Sequence, residues 1–177
     1  MPTTFCAHCI GCPYENAQHL SVAAREIRAT PLAMENNNGS ILLIFQAPGI
    51  NEWANGRPVS SIEANSTGMK LEMAFAHYNK TRANFNITNA VQCFPGKKDA
   101  KNGKRPRDKA PVAAARRHCG YWLRKDITAH NYERIVVFGS PARKAVLALG
   151  YADDSRFVFV KHPSGGLSNA ELRSVVG

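Results

Sequence analysis

Four short runs of apolar, largely β-branched residues constrain the fold of this chain more than any other feature. Each is bounded by Gly, Pro or Asn, and they cover residues 41–45, 85–91, 135–138 and 157–160. Continuous apolar runs of this length are typical of parallel strands buried on both faces. The intervening segments have helical spacing, at Met69, Leu71, Met73 and Phe75, at 112–127 and at 142–149. Strands that alternate with helices predict an α/β sandwich.

The length and charge of the chain indicate a single domain with a polyanionic partner. Its 177 residues are enough for one sizeable core and too few for two comfortable domains. Lys and Arg outnumber Asp and Glu by 23 to 13, which gives a formal net charge of +10. Because this charge is clustered, we favour a nucleic acid partner over a merely basic protein.

The sequence predicts neither a membrane span nor a secretion signal. No stretch approaches the roughly 20 apolar residues that a membrane span needs. The first residues do not place a basic region before an apolar run. We therefore expect a cytoplasmic protein with reduced thiols, which binds no membrane and works as a monomer.

The five cysteines form a pattern that is typical of a metal site. Cys6, Cys9 and Cys12 crowd the start of the chain, whereas Cys93 and Cys119 lie far downstream. Thiolates that converge from separated segments suit either a structural zinc ion or an iron–sulfur cluster. Spacing alone does not choose between these two, and the simpler alternative is a set of unconnected buried thiols.

Residues that can bind or react follow each predicted strand. In chain order they are Gln46, Ala47, Pro48 and Gly49, then Asn89, then Gly139, Ser140 and Pro141, and last His162, Pro163 and Ser164. The carboxyl ends of parallel strands share one edge of a sheet, and open α/β sheets bind ligands outside that edge. We therefore expect one site there, built from all four strand ends.

Five segments carry a resemblance to a known family. They are FQAPGINEWANGRP (45–58), ITNAVQCFP (87–95), RRHCGYWL (116–123), IVVFGSPARKAVL (135–147) and KHPSGGL (161–167). In this order they resemble the uracil-DNA glycosylase superfamily, most closely its iron–sulfur branch, called family 4, and the related cross-linking X-type enzymes. The resemblance implies one DNA glycosylase domain over 1–177, folded as a three-layer α/β/α sandwich around a four-stranded parallel sheet.

The resemblance gives roles to two polar residues at the strand ends. Asn89 would read the edge of a flipped pyrimidine, because its amide offers an acceptor and a donor together. The alternative is a strand-ending Asn that caps a turn. His162 would donate to O2 of the departing base as negative charge develops there, whereas a lone histidine is more often structural.

The resemblance also implies a [4Fe-4S] cluster, with a structural zinc ion as the alternative. The implied ligands are Cys9, Cys12, Cys93 and Cys119. Family members use two amino-terminal cysteines, and Cys6 with Cys9 is the alternative pair. The cluster would clip the amino-terminal arm (1–40) and the insertion (96–111) to the sheet, without redox chemistry.

The reacting carbon is inaccessible inside a duplex, so the enzyme must extrude its target nucleotide. Other residues near the strand ends would then contact the distorted DNA. Turn amides and helix amino termini are placed to hold phosphates. Leu167 would fill the vacated stack, and the equal alternative is a plain core leucine. The expected contacts are with the base for Ala47 and Val59, and with the DNA backbone for Pro48, Gly49, Gly139, Ser140 and Ser164.

Two departures from the family pattern bear on the substrate. Gln46 stands where family 4 usually has Glu, so the carboxylate that assists hydrolysis is missing there, and Glu52 is the nearest substitute. Val59 stands where an aromatic ring is expected to stack on the base. Because stacking is worth roughly 1–3 kcal/mol per base, the missing ring implies a wider pocket and weaker uracil binding, unless a bulkier base fills the space.

The segment 96–111 is a long basic insertion with seven Lys or Arg against two Asp. We expect a DNA-facing loop in which Lys104, Arg105 and Arg107 bind phosphates, so that binding depends strongly on salt. It resembles the loop of the X-type enzymes, where a histidine bonds covalently to the sugar. Asp108 stands at that place, so covalent trapping is not expected. Asp108 is either a catalytic carboxylate or a charge-balancing surface group.

The sequence therefore predicts a monofunctional DNA glycosylase that flips a pyrimidine and leaves an abasic site. Uracil comes first by family frequency and would indicate base-excision repair. A bulky modified cytosine, such as the hypermodified cytosines of phage genomes, is the alternative and would indicate phage defence. An inert DNA-binding or damage-sensing protein is the alternative of another class, because the usual carboxylate is displaced.

Overall fold

A four-stranded parallel sheet forms the centre of the structure. The computed structural model of the chain describes residues 7–99 and 106–177. In these ranges the strands are β1 (Ile41–Phe45), β2 (Phe85–Asn89), β3 (Arg134–Phe138) and β4 (Phe157–Val160). They pair in parallel in the order β2-β1-β3-β4. The four predicted strands and their parallel arrangement are confirmed.

Helices cover both faces of this sheet. Those in the described ranges are α1 (Val22–Ile27), α2 (Ile50–Asn55), α3 (Thr67–Ala76), α4 (Ala113–Thr128), α5 (Ser140–Ala148) and α6 (Asn169–Val176). Successive strand residues point to opposite faces. Leu43 and Phe45 therefore pack with α3 and α6, whereas Leu42 and Ile44 pack with α4 and α5. The predicted three-layer α/β/α sandwich is confirmed.

Helix α3 buries only some of the residues that marked its helical spacing. Met73 is 65 % exposed, whereas Leu71, Ala74 and Phe75 are buried. The prediction joined alternate residues, but an α-helix repeats every 3.6 residues, so that side chains three or four apart share a face. Leu71 and Phe75, four residues apart, therefore share the buried face, and Met73 between them does not.

The helices of the described ranges do not include a membrane span. None of them is both long enough and apolar enough to cross a bilayer.

The chain before β1 packs against α2, α4 and the segment after β2. Tyr14 and Leu20 share an apolar cluster with Trp53 of α2. The ring of His8 stacks on Tyr121 of α4, with centroids 3.5 Å apart. The amino-terminal arm is thus tied to the elements that carry the downstream cysteines.

Strand β2 ends at Asn89, two residues before the end of the predicted run. A buried carboxylate on α4, Asp126, fixes the chain on both sides of this point. Asp126 Oδ2 accepts from Thr88 Oγ1 at 2.6 Å and from Gln92 Nε2 at 3.4 Å. Burial raises the pKa of Asp126, although these two bonds oppose the shift. Side-chain hydrogen bonds therefore anchor the chain to α4 on either side of Asn89.

Candidate active site

A cleft of about 540 Å³ opens at the carboxyl edge of the sheet. Its walls come from the end of β1, the start of α2, the turn at 59–61, the stem of the insertion and the loop after β4. The fold thereby brings together residues that lie far apart in the sequence. The expected site residues that line the cleft are Gln46, Ala47, Pro48, Gly49, Glu52, Val59, Arg107, Asp108, His162 and Ser164.

Some of the expected DNA contacts lie outside the cleft. Ser140 begins α5 and Gly139 caps it, and a Cβ on Gly139 would lie 3.2 Å from Cβ of His162 in the loop after β4. Leu167 is only 7 % exposed and packs in the core with α3 and α6, which favours the plain core alternative. The residues that fall outside the described ranges are Cys6, Lys104 and Arg105.

His162 is held as a neutral imidazole with a defined tautomer. Its Nδ1 accepts from the backbone N–H of Ser164 at 3.2 Å, and the Ser164 hydroxyl lies 2.7 Å from the same nitrogen. A backbone N–H can only donate, so Nδ1 carries no proton and the neutral ring carries it on Nε2. Burial, helped by the charge of Lys70, lowers the pKa of His162 to about 4. At neutral pH this residue is therefore an uncharged donor.

Acidification should destabilise the fold through His162. The unfolded chain takes up this proton near the ordinary pKa of 6.5, whereas the folded chain resists it down to about 4. Below pH 6.5 the unfolded state therefore binds more protons, and the free energy of unfolding falls as the pH drops toward 4. Denaturant titrations at stepped pH measure this slope. A His162→Gln variant should show a shallower slope, and an unchanged slope would contradict the assignment.

Asn89 is a buried amide without hydrogen-bond partners. The residue is 1 % exposed, and neither Nδ2 nor Oδ1 has a partner in the described structure. It pairs in register with Phe45 and shares the sheet face of Phe85 and Ile87. Asn89 does not itself line the cleft, although Phe45 and Val59 do. Each unpaired buried polar group costs about 1–3 kcal/mol, so this amide is kept at the expense of stability.

Two carboxylates approach the turn that follows β1. A Cβ on Gly49 would lie 2.7 Å from Glu52 Oε2 and 2.8 Å from Asp108 Oδ2. Glu52 Oε1 also accepts from the backbone N–H of Ser61 at 3.3 Å. Only glycine fits at position 49 without displacing these two groups. The cleft therefore holds two carboxylates that converge on one point.

The stem of the basic insertion brings Asp108 into the cleft. Backbone hydrogen bonds of 2.8 Å join residues 96 with 109 and 98 with 107. They flank an antiparallel bridge between Lys97 and Asp108, whose side chains also pair at 3.0 Å. Lys97, Arg107 and Lys109 line the cleft from this stem. Asp108 is thus both paired with a lysine and open to the cleft, on the side where these basic residues lie.

Two residues next to His162 were not identified as site residues from the sequence. Phe45 reads as a core residue, yet it lines the cleft and its ring meets His162 edge-on at 6.0 Å. Its position directly before Gln46 was the only signal. Lys70 of α3 donates to the carbonyl of Pro163 at 2.9 Å. No local pattern connects Lys70 to the loop after β4.

A second cavity, of about 330 Å³, gathers the cysteines. It is lined by Cys9, Cys12, Cys93 and Cys119, together with Tyr14, His118, Trp122 and neighbouring residues. Burial raises the pKa of Tyr14, a bond from the Val112 amide opposes this, and three of the thiols raise it further. The cavity is at the lower end of the range of about 300–1,000 Å³ that holds small ligands. Soft thiols from three segments around such a space fit an iron–sulfur cluster.

The comparisons with known proteins identify one family. The family described as the Uracil DNA glycosylase superfamily matches residues 34–175. This match contains the whole sheet, the cleft residues and two of the four cavity cysteines. No curated protein matches the chain.

Proposed function

Because the chain belongs to the uracil DNA glycosylase superfamily, we propose that it is a monofunctional DNA glycosylase that removes a pyrimidine and leaves an abasic site. The observation that carries the proposal is the Asn89 amide, which is buried next to the cleft-lining Phe45 and has no partner among the described residues. Its carbonyl and NH₂ match the paired donors and acceptors on a pyrimidine edge. A flipped base would supply the partners that this amide lacks.

Base release in this proposal breaks the bond between sugar C1′ and the base nitrogen. The bonding electrons leave with the base, and the neutral His162 donates from Nε2 to the base oxygen on which charge develops. Water adds to C1′ and gives its proton to a carboxylate. Glu52 and Asp108 can accept that proton, whereas the amide of Gln46 can only orient the water.

The basic residues of the insertion stem, on one side of the cleft, would hold the DNA strand. Lys97, Arg107 and Lys109 line the cleft on one side, and Lys104 and Arg105 belong to the same basic insertion. Basic side chains bind phosphates and release counterions, so affinity should fall steeply as salt rises.

Uracil is the first candidate substrate, and one observation favours a larger one. The cleft measures about 540 Å³ and presents Val59 where the family resemblance leads one to expect a ring. A bulky modified cytosine would use the space that an aromatic side chain would otherwise fill. An enzyme with that preference would act against modified phage genomes.

Abasic-site formation on parallel substrates tests the function. The substrates are single- and double-stranded DNA containing uracil, and phage DNA whose cytosines are hydroxymethylated or glucosylated. Cleavage of uracil DNA alone would indicate repair, and cleavage of the modified DNA alone would indicate defence. DNA binding without any abasic sites would overturn the proposal in favour of an inert binding protein.

For the second cavity we propose a [4Fe-4S] cluster held by Cys9, Cys12, Cys93 and Cys119. The shared cavity of these residues supports the ligand set. When bound, the cluster would supply structural cross-links through its thiolate ligands. The chain would thereby tie its amino-terminal arm to α4 and to the segment after Asn89.

Anaerobically purified protein should be brown and contain iron and acid-labile sulfide in equal amounts. Cys12→Ala should lose most of the iron, because each thiolate is one of four ligands. Cys6→Ala is the matched control and should keep it. Metal analysis and visible absorbance measure both results. Colourless wild-type protein with bound zinc would contradict the cluster, and iron loss in Cys6→Ala alone would contradict the ligand set.

A further inference from the structure

The wall of the cleft that carries Val59 has an unusual backbone. Val59 has a φ of +49°, a left-handed conformation that β-branched residues rarely adopt. Its side chain is nevertheless buried and lines the cleft. Backbone strain of this kind persists only where the surroundings fix it, and it clusters at functional sites.

The side chain of Arg82 binds this strained turn through two hydrogen bonds. Arg82 donates from Nη1 to the carbonyl of Val59 at 3.0 Å and from Nη2 to the carbonyl of Pro58. Its Nε and Nη2 face Glu35, with 2.8 Å between Nε and Oε2 and the same distance between Nη2 and Oε2. The side chains of Arg82 and Glu35 are 11 % and 13 % exposed, so solvent screens this pair weakly.

Glu35 is itself fixed to the strand that presents Asn89. Its backbone N–H donates to the carbonyl of Ile87 at 2.9 Å and its carbonyl accepts from the Ile87 N–H at 3.0 Å. Ile87 lies on β2, two residues before Asn89. A continuous chain of contacts thus runs from β2 through Glu35 and the guanidinium to the turn.

The other side of the turn is also fixed. A Cβ on Gly68, in the first turn of α3, would collide with the carbonyl of Ser61 and lie 2.9 Å from the carbonyl of Val59. Ser66 Oγ donates to the Ser61 carbonyl at 2.7 Å. The turn is therefore held between α3 and the guanidinium, and it cannot shift without breaking one of these contacts.

We propose that Arg82 is a positioning residue that holds the Val59 wall at a fixed distance from Asn89 and so limits the size of base that the site accepts. This inference rests on the proposed function. The same turn also places the Ser61 N–H so that it donates to Glu52. Arg82 therefore also helps to position one of the candidate carboxylates.

The test compares Arg82→Ala with Arg57→Ala as the matched control. Arg57 pairs with the same carboxylate at 2.9 Å, but it is 57 % exposed and donates to no carbonyl of the turn. Arg82→Lys keeps the charge opposite Glu35 and loses the paired hydrogen bonds to the two carbonyls of the turn. It provides the test if Arg82→Ala does not fold.

Two readouts separate the inference from the proposed function. Hydrogen exchange of peptides covering 57–63 should be faster in both Arg82 variants and unchanged in Arg57→Ala. The second readout is the ratio of kcat/KM for hydroxymethylcytosine to kcat/KM for uracil in the same oligonucleotide. This ratio should rise by roughly tenfold in the Arg82 variants, which is a typical change in discrimination when a pocket gains room for one small group. Thermal melts confirm that each variant is folded.

Unchanged hydrogen exchange in the Arg82 variants would contradict the claim that Arg82 holds the turn. Faster exchange with an unchanged kcat/KM ratio would contradict the claim that the turn limits the size of the base. If the wild-type protein releases no base from any DNA, the proposed function fails. In that case the exchange data still report whether Arg82 holds the turn.

Discussion

Replacing His162 with alanine should slow base release by about 10²–10³-fold and leave DNA affinity nearly unchanged. Removing one donor that stabilises developing negative charge has an effect of this size. The ring is uncharged at neutral pH, since its pKa lies near 4, so its loss removes no cation from the DNA-binding surface. Single-turnover rates and fluorescence anisotropy in the same buffer measure the two quantities.

His130→Ala is the control for this substitution. His130 bonds to Asn36 Oδ1 at 3.0 Å and does not line the cleft, so its variant should match the wild type in both assays. A His162→Ala protein that releases base at the wild-type rate would contradict the donor role. Loss of DNA affinity equal to the loss of rate would indicate a binding role instead.

Replacing Asn89 with leucine should raise stability and abolish most activity. Both amide atoms are buried and have no partner within residues 7–99 and 106–177, so a similarly shaped apolar side chain removes a cost of about 1–3 kcal/mol from the folded state. Base release should fall by at least about 10²-fold, because the edge-reading hydrogen bonds are lost. Chemical denaturation and base-release kinetics measure these opposite effects, as expected where a site is kept at the expense of stability.

Asn86→Leu provides a control on the same strand. Asn86 is equally buried, but its Nδ2 donates to Tyr132 at 2.9 Å and its Oδ1 accepts from Asn37 N–H at 2.8 Å. Leucine there should lower the free energy of unfolding by about 1–3 kcal/mol or more, because the partners are left unpaired. If Asn89→Leu destabilised the protein to the same degree, Asn89 would have a structural role.

The fold could be predicted from the sequence because buried parallel strands need no alternation. A run such as 41–45 is apolar throughout, since each face of the sheet is covered by helices. The amphipathic helices gave a weaker signal. Met73 was one of the four residues that indicated α3, yet it is exposed, because apolar residues on alternate positions do not share a helical face.

The arrangement of the candidate site was only partly predictable. The ends of the strands pointed to His162 and Asn89, since the carboxyl edge of a parallel sheet is a known binding edge. No local pattern could show that the Asn89 amide lacks partners, or that Glu52 and Asp108 meet at one turn. The contact of Arg82 with Glu35 joins residues 47 positions apart, and such contacts depend on tertiary packing.

Detection of the free base tests the central claim most directly. DNA that carries uracil, and phage DNA that carries modified cytosine, would be incubated with the wild-type protein and the small molecules identified by mass spectrometry. We predict one free pyrimidine for each abasic site, with the DNA strand still intact. Tight DNA binding with no free base from either DNA would contradict the assignment of this chain as a glycosylase.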